Sequence, residues 1–182
     1  MVKVAVVLAD GFEEIEALTP VDVFRRAGFD CQMVGLVSKD VTGSHGIQVK
    51  ADTVFTGDLS DMDLVVLPGG MPGSARLRDH DGLIAALVNH AEKGKYTAAI
   101  CAAPIVLARA GLLKEKRYTC FPGVEAQIED GLHQTDLVVT DGRIVTSRGA
   151  GTALAFAYHL VDLLGGDGAS LANTMVYQQL FD

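Results

Sequence analysis

The sequence is short of cysteine, of basic residues and of long apolar runs, and each shortage closes off a class of protein. Its three thiols, Cys31, Cys101 and Cys120, are too few and too scattered for a disulfide framework, and no Cys/His pair stands at zinc-ligand spacing, so no metal is expected. The 15 Lys and Arg face 23 Asp and Glu, a net charge of -8 that repels phosphate backbones and anionic bilayers; with no basic cluster to offset it, neither nucleic acid nor membrane is expected as a partner. No 18-residue apolar span occurs, and the chain enters a strand-like run directly after Met1-Val2-Lys3, so a cytoplasmic protein without a leader is expected. Charged residues make up only 21% against 49% hydrophobic, which suits a compact enzyme-like fold, and 182 residues fit one domain, 1–182.

What is present alternates between two patterns. Val2 to Leu8 is a β-branched run that reads as a strand buried on both faces, followed by a helix from Glu13 to Ala27 with Ile15, Leu18, Val21, Phe24 and Ala27 inward, a bend at Pro20 and a stop at Gly28. Cys31–Val37 reads as a strand, and Gly43-Ser44-His45-Gly46 as the turn of a peripheral hairpin into Ile47-Gln48-Val49. Leu64–Leu67 runs into Pro68-Gly69-Gly70, then a helix from about Asp79 to Glu92. Thr97–Ile100 runs into Cys101 and a helix through Ala110. Asp136–Thr140 and Ile144–Ser147 flank Asp141-Gly142, a type I′ hairpin signal, and Gly149–Leu164 and Ala169–Tyr177 read as closing helices. Such alternation implies βαβ units and a mostly parallel sheet covered on both faces, with ligands at the carboxyl ends of its strands.

The unusual residues fall at those ends. Ala99-Ile100-Cys101-Ala102-Ala103-Pro104 puts a thiol between an apolar strand and a helix with small residues around it, the steric requirement of a nucleophile elbow. A thiol at a helix N-terminus also feels the macrodipole and free N–H groups, so an ionised sulfur is expected. Cys31, inside a strand, reads instead as a small core residue. Gly69-Gly70 is either a plain turn or a pair of N–H donors for an oxyanion; a thiol on the neighbouring strand favours the second. Glu16, on the inward side of the first helix, would have its pKa raised by burial and by a thiolate and would share one proton with it. None of the five histidines has an obvious base position beside Cys101, and only the loop of His45 is a candidate to reach the site. Gly149-Ala150-Gly151 lacks the third glycine and βαβ unit of a dinucleotide loop, so no nicotinamide site is expected; Thr152 there reads as a local hydrogen-bonding cap.

Four segments, Asp10-Gly11-Phe12-Glu13-Glu14-Ile15-Glu16, Leu67-Pro68-Gly69-Gly70, Ala99 to Pro104 and Thr146-Ser147-Arg148-Gly149-Ala150-Gly151-Thr152, closely resemble those of the ThiJ/PfpI superfamily, in the branch of DJ-one and YajL. The resemblance spans nearly the whole chain. It implies a flavodoxin-like three-layer sandwich, like the class I glutamine amidotransferases, and a homodimer with its sites close to the interface. It also implies that Cys101 is the oxidation-sensitive nucleophile, Glu16 its proton partner, and Gly70 and Ala102 the backbone N–H donors. Gly69, His45, Cys120, Phe121, Arg148 and Gly149 complete the candidate pocket. Ala102 stands where the family's proteases carry histidine, so weak or no peptidase activity is expected. Phe121 stands where some relatives place a histidine before proline. The activity implied is cofactor-free, thiol-dependent chemistry on reactive α-oxoaldehydes or early glycation adducts, of the glyoxalase III or deglycase kind. A redox sensor or redox-regulated chaperone is the alternative.

Overall fold

The computed structural model describes residues 1–180. Its centre is β1 (Lys3–Leu8), whose Val4, Val6 and Leu8 pack on one side of the sheet while Ala5 and Val7 pack on the other, all five fully buried. That is why the run is apolar without alternation. Around β1 lies a seven-stranded sheet formed with β2 (Asp30–Gly35), β5 (Thr53–Val54), β6 (Leu64–Leu67), β7 (Tyr96–Ile100), β10 (Val138–Asp141) and β11 (Ile144–Ser147), in the order β10-β11-β7-β6-β1-β2-β5. All pairs are parallel except β10 with β11, which closes one edge as a hairpin. The chain leaves β1 toward β2 on one side and returns to β6 on the other, and the crevice opened by such a reversal is where open α/β sheets bind ligands.

Helices α1 (Glu14–Arg26), α5 (Ala153–Leu163) and α6 (Gly168–Thr174) cover one face, joined to it by Ala17, Phe24, Phe156 and Leu160. Helices α2 (Gly73–Arg78), α3 (Asp81–Glu92) and α4 (Pro104–Arg109) cover the other through Leu77, Leu87 and Leu107. The doubly covered sheet expected from the sequence is therefore what forms, with two small additions outside it: the hairpin β3 (Asp40–Thr42) with β4 (Gln48–Lys50), and a parallel pair, β8 (Arg117–Tyr118) with β9 (Leu132–His133). No helix among the described residues is long and apolar enough to cross a membrane.

Several local expectations are corrected. The helix expected from Asp79 to Glu92 is preceded by a separate one, α2, and α3 begins only after His80, whose Nδ1 caps it by accepting the Leu83 N–H at 3.0 Å. At the β10–β11 turn Gly142 has φ 61° and Arg143 is not among the positive-φ residues, the pattern of a type II′ turn rather than type I′. The face of α1 is also different. Ile15 is 53% exposed, while Glu14 and Glu16 are buried. Pro20 is accommodated within an uninterrupted α1.

Candidate active site

Cys101 directly follows β7 and has φ 64°, a left-handed backbone that a residue with a Cβ adopts only when its surroundings hold it there. They do: its N–H donates to Ser147 O at 3.0 Å, at the end of β11, and its carbonyl accepts the Phe121 N–H at 2.9 Å. Ala102 and Ala103 complete the turn, both buried, and α4 begins at Pro104, a residue suited to the first helical position. The thiol thus stands on a turn ahead of a six-residue helix rather than at the helix's own first turn, and the macrodipole expected to ionise it is correspondingly remote.

Glu16 reaches this turn from α1. Glu13 caps the helix with Oε2 accepting the Glu16 N–H at 2.8 Å, which fixes the first turn so that the Glu16 side chain enters the sheet end, where the residue is fully buried. Its Oε2 accepts the Gly69 N–H at 2.9 Å. Oε1 has no well-aligned partner among the described residues, so the contact with the Cys101 thiol is loose, of the kind that tightens when a proton moves. The backbone N–H groups of Gly70 and Ala102 both reach the sulfur. Gly69 is required by this crowding: a Cβ there would run into Glu16 Oε2 and come within 2.6 Å of Cys101 Cβ. Gly70 is required twice over, by φ 86° and because a Cβ would strike the Glu13 backbone.

The electrostatics follow from burial and like charge. Burial pushes the Glu16 carboxyl up to about 7, with the nearby Glu13 charge adding to the rise and the Cys101 and Gly69 hydrogen bonds opposing it. Burial, then the Glu16 charge and hydrogen bond, push the Cys101 thiol up to about 12, against the two N–H donors. The sequence led to an ionised sulfur sharing its proton with Glu16; burial and the Glu16 charge favour the other placement, a carboxyl that titrates near neutrality beside a thiol that keeps its proton, the two groups being coupled.

The remaining sequence candidates separate into those at the turn and those elsewhere. Phe121 is bonded to Cys101 through its backbone and is half exposed, with Gly149 close enough that a Cβ there would touch its ring at 3.4 Å. Arg148 follows β11 and points away, its guanidinium donating to Cys120 O at 3.5 Å and Thr135 O at 3.3 Å. Cys120 is fully buried and its sulfur faces Glu125 rather than Cys101. His45 does not reach the thiol: its Nδ1 lies 2.9 Å from Glu14 Oε2. Thr152 is the local hydrogen-bonding residue expected, its Oγ1 accepting from Gly149 N at 3.1 Å. None of the five histidines bonds to Cys101.

Sequence reasoning did not single out Glu13 and Glu14. Glu13 sets the first turn of α1, and Glu14 is buried and ties the β3–β4 loop to the helix. Three carboxyls in four positions at a helix start were the available signal. A cavity of about 390 Å³ lies beside Asp10, between Leu36, Val41, Arg76 and His80, and contains neither Cys101 nor Glu16.

Residues 2–163 match the model of the DJ-1/PfpI family, and the chain belongs to that family. It is 40% identical to Protein dj-1beta of Drosophila melanogaster over 88% of either protein. It is 36% identical to the Putative cysteine protease YraA of Bacillus subtilis, over 89% of this chain and 98% of that protein. The solved structure of Toxoplasma gondii DJ-1, described as oxidized, superposes with a TM-score of 0.92 at 35% identity, over 97% of this chain and 98% of that one. Two relatives from Arabidopsis thaliana are much longer, and the chain spans 38% and 43% of them.

Proposed function

We propose that this DJ-1/PfpI protein is a cofactor-free thiol enzyme that converts reactive α-oxoaldehydes, or their early adducts on amines and thiols, to hydroxy acids. The observation that carries the reading is the fully buried Glu16 carboxyl, raised toward neutrality, beside a strained Cys101 whose sulfur lies near the Gly70 and Ala102 N–H groups. In the form with the proton on Glu16, the thiolate attacks the aldehyde carbon. A C–S bond forms, the carbonyl electron pair moves to oxygen, and Glu16 delivers the proton to give a hemithioacetal. The amide hydrogens already at sulfur lie close to the oxygen that develops charge. Glu16 then takes the proton from the former aldehyde carbon and, through an enediol, the neighbouring ketone carbon is protonated and reduced while the first becomes a thioester. Water releases the hydroxy acid and the thiol. Oxidation and reduction balance within the substrate, so no external cofactor is needed.

The same elements argue against peptide hydrolysis, for which a base beside sulfur would be a histidine; Ala102 occupies the position next to Cys101. We also propose a homodimer in a reducing cytoplasm. Ile15 and Ile47 are each 53% exposed on segments joined through Glu14, and together they offer an apolar patch beside the site. Sedimentation at two concentrations tests the dimer. Methylglyoxal supplied without glutathione should give lactate, with turnover falling to background in Cys101→Ser; equal turnover in that variant would overturn the mechanism.

A second reading has its own support. Cys101 is the one partly exposed thiol, Cys31 and Cys120 being buried, and the carboxyl and N–H groups around it suit a sulfinate as well as a thiolate. The Toxoplasma relative is described as oxidized. A redox sensor or redox-regulated chaperone would take up two oxygen atoms at Cys101 under mild peroxide, read by intact mass, and turn over no aldehyde.

A further inference from the structure

Away from the Cys101 sulfur, the fold gathers a second set of reactive side chains that the proposed chemistry does not use. Cys120 follows β8, Glu125 stands in a short 3-10 turn, Val124–Gln127, and His133 ends β9. The β8–β9 pairing sets His133 beside Tyr118, and Gln134 N–H to Tyr118 O at 2.7 Å holds that register. Glu125 is fixed by accepting the Gly123 N–H at 2.7 Å. One donor atom from each of Cys120, Glu125 and His133 lies within 4.8 Å of the other two.

Cys120 and His133 are poorly satisfied by protein alone. The Cys120 sulfur is fully buried, and its contact to Glu125 Oε2 is 3.8 Å, long even for a thiol. His133 Nε2 is buried with no hydrogen-bond partner, where buried polar atoms are ordinarily paired. Glu125 is partly exposed and gives a path from solvent. By contrast the Glu13, Glu14 and His45 set, also within reach of one another, is already closed by the Glu14–His45 pair.

We propose that Cys120, Glu125 and His133 form a site for a borderline divalent cation, zinc in kind, with three protein donors and one open position. Thiolate, imidazole and carboxylate are the donor types such a cation prefers, and thiolate with carboxylate supplies two negative charges. A thiol must give up its proton to ligate such a cation. Spacing gave no sign of the site because its ligands come from a loop, a single turn and a two-residue strand.

Cobalt is the probe. Titrating the full chain with Co²⁺ should produce a thiolate-to-cobalt charge-transfer band and visible bands of tetrahedral cobalt. Cys120→Ser should abolish the charge-transfer band, and His133→Gln should weaken binding by more than about tenfold, the cost of losing even an outer partner. Cys101→Ser should retain both signals. Absence of the band in wild-type protein, its survival in Cys120→Ser, or its loss in Cys101→Ser would each overturn the assignment. The wild-type and Cys101→Ser measurements decide the matter even if the other variants fold poorly.

Discussion

The two sides of the first turn of α1 carry the same functional group in opposite states. Glu14 and Glu16 are two residues apart, and both are buried. Yet Glu14 is held at about 2 and Glu16 is raised to about 7. Burial raises both. At Glu14 that push is overcome by hydrogen bonds from the His45 ring and backbone and from the Ile47 N–H. At Glu16 it is opposed by a single backbone donor and a loose thiol, and the Glu13 charge adds to it. Desolvation therefore does not decide what a buried carboxyl does; the donors around it do. One side of the turn is a fixed anion that fastens a loop, and the other is an acid kept near its titration point beside sulfur.

The largest effect should come from removing the side that titrates. Glu16→Gln keeps shape and one hydrogen-bond donor but cannot exchange a proton, so kcat/KM for methylglyoxal should fall by about 10²–10⁴, the ordinary contribution of a general acid–base group. Glu14→Gln should stay within about threefold of wild type. Equal losses in the two variants would mean that the turn matters as a scaffold and not through Glu16 chemistry. Next in size is a pH effect on stability. A carboxyl raised from 4.5 to about 7 binds its proton more tightly in the folded protein, so its contribution is complete below pH 4.5 and is lost as pH rises through 7, by about 3 kcal/mol. Denaturant unfolding from pH 4.5 to 8 should show that decline in wild type and not in Glu16→Gln. The ultraviolet absorbance of the Cys101 thiolate should stay low over the same interval, because burial and the Glu16 charge push that thiol up to about 12. A rise with a midpoint near 7 would instead place the charge on sulfur and the retained proton on Glu16.

Much of this arrangement was legible in the chain because it rests on large local signals. β6 is an unbroken apolar run, and β1 after Lys3 and β7 around Thr97 are nearly so, since both of their faces are covered, and Gly69-Gly70 and Cys101 mark the ends of two of them. The elbow is readable from Ala102 and Ala103, which leave room for the turn. What escaped was set by partners far off in sequence. An apolar Ile15 between two glutamates reads as the inward residue, but Gly69 and the β3–β4 loop supply the donors that draw the glutamates in and leave Ile15 outside. Helix α2 begins with Gly-Ser and lasts six residues, too short for a period to declare itself, and β5, β8 and β9 have two residues each. The pairing of thiol and acid pKa values depends on a contact across 85 positions, which no local pattern carries.

The fixed side of the turn is tested by smaller changes. Glu14→Ala should lower stability at neutral pH by about 1–3 kcal/mol, because the backbone N–H of His45 loses its acceptor and a void opens beside Gly43. The sign with pH is opposite to that of Glu16. A carboxyl lowered from 4.5 to about 2 contributes above pH 4.5 and loses that contribution as pH falls toward 2, so wild type and Glu14→Ala should converge in acid.

The finest distinction is at His45, whose imidazole is raised by its hydrogen bond to Glu14 and then by that group's charge. Its share of stability is present below its unfolded value of 6.5 and disappears as pH rises through the folded value. Proton NMR of the His45 ring should therefore show a midpoint above 6.5 in wild type that returns toward 6.5 in Glu14→Gln, since the neutral amide no longer favours the imidazolium. Glu16→Gln should leave that midpoint in place, because Glu16 does not touch the ring and faces the other way from the turn. A shift of His45 in Glu16→Gln as large as that in Glu14→Gln would show the two sides to be one coupled cluster, and the division between a fastening carboxyl and a reacting one would fail.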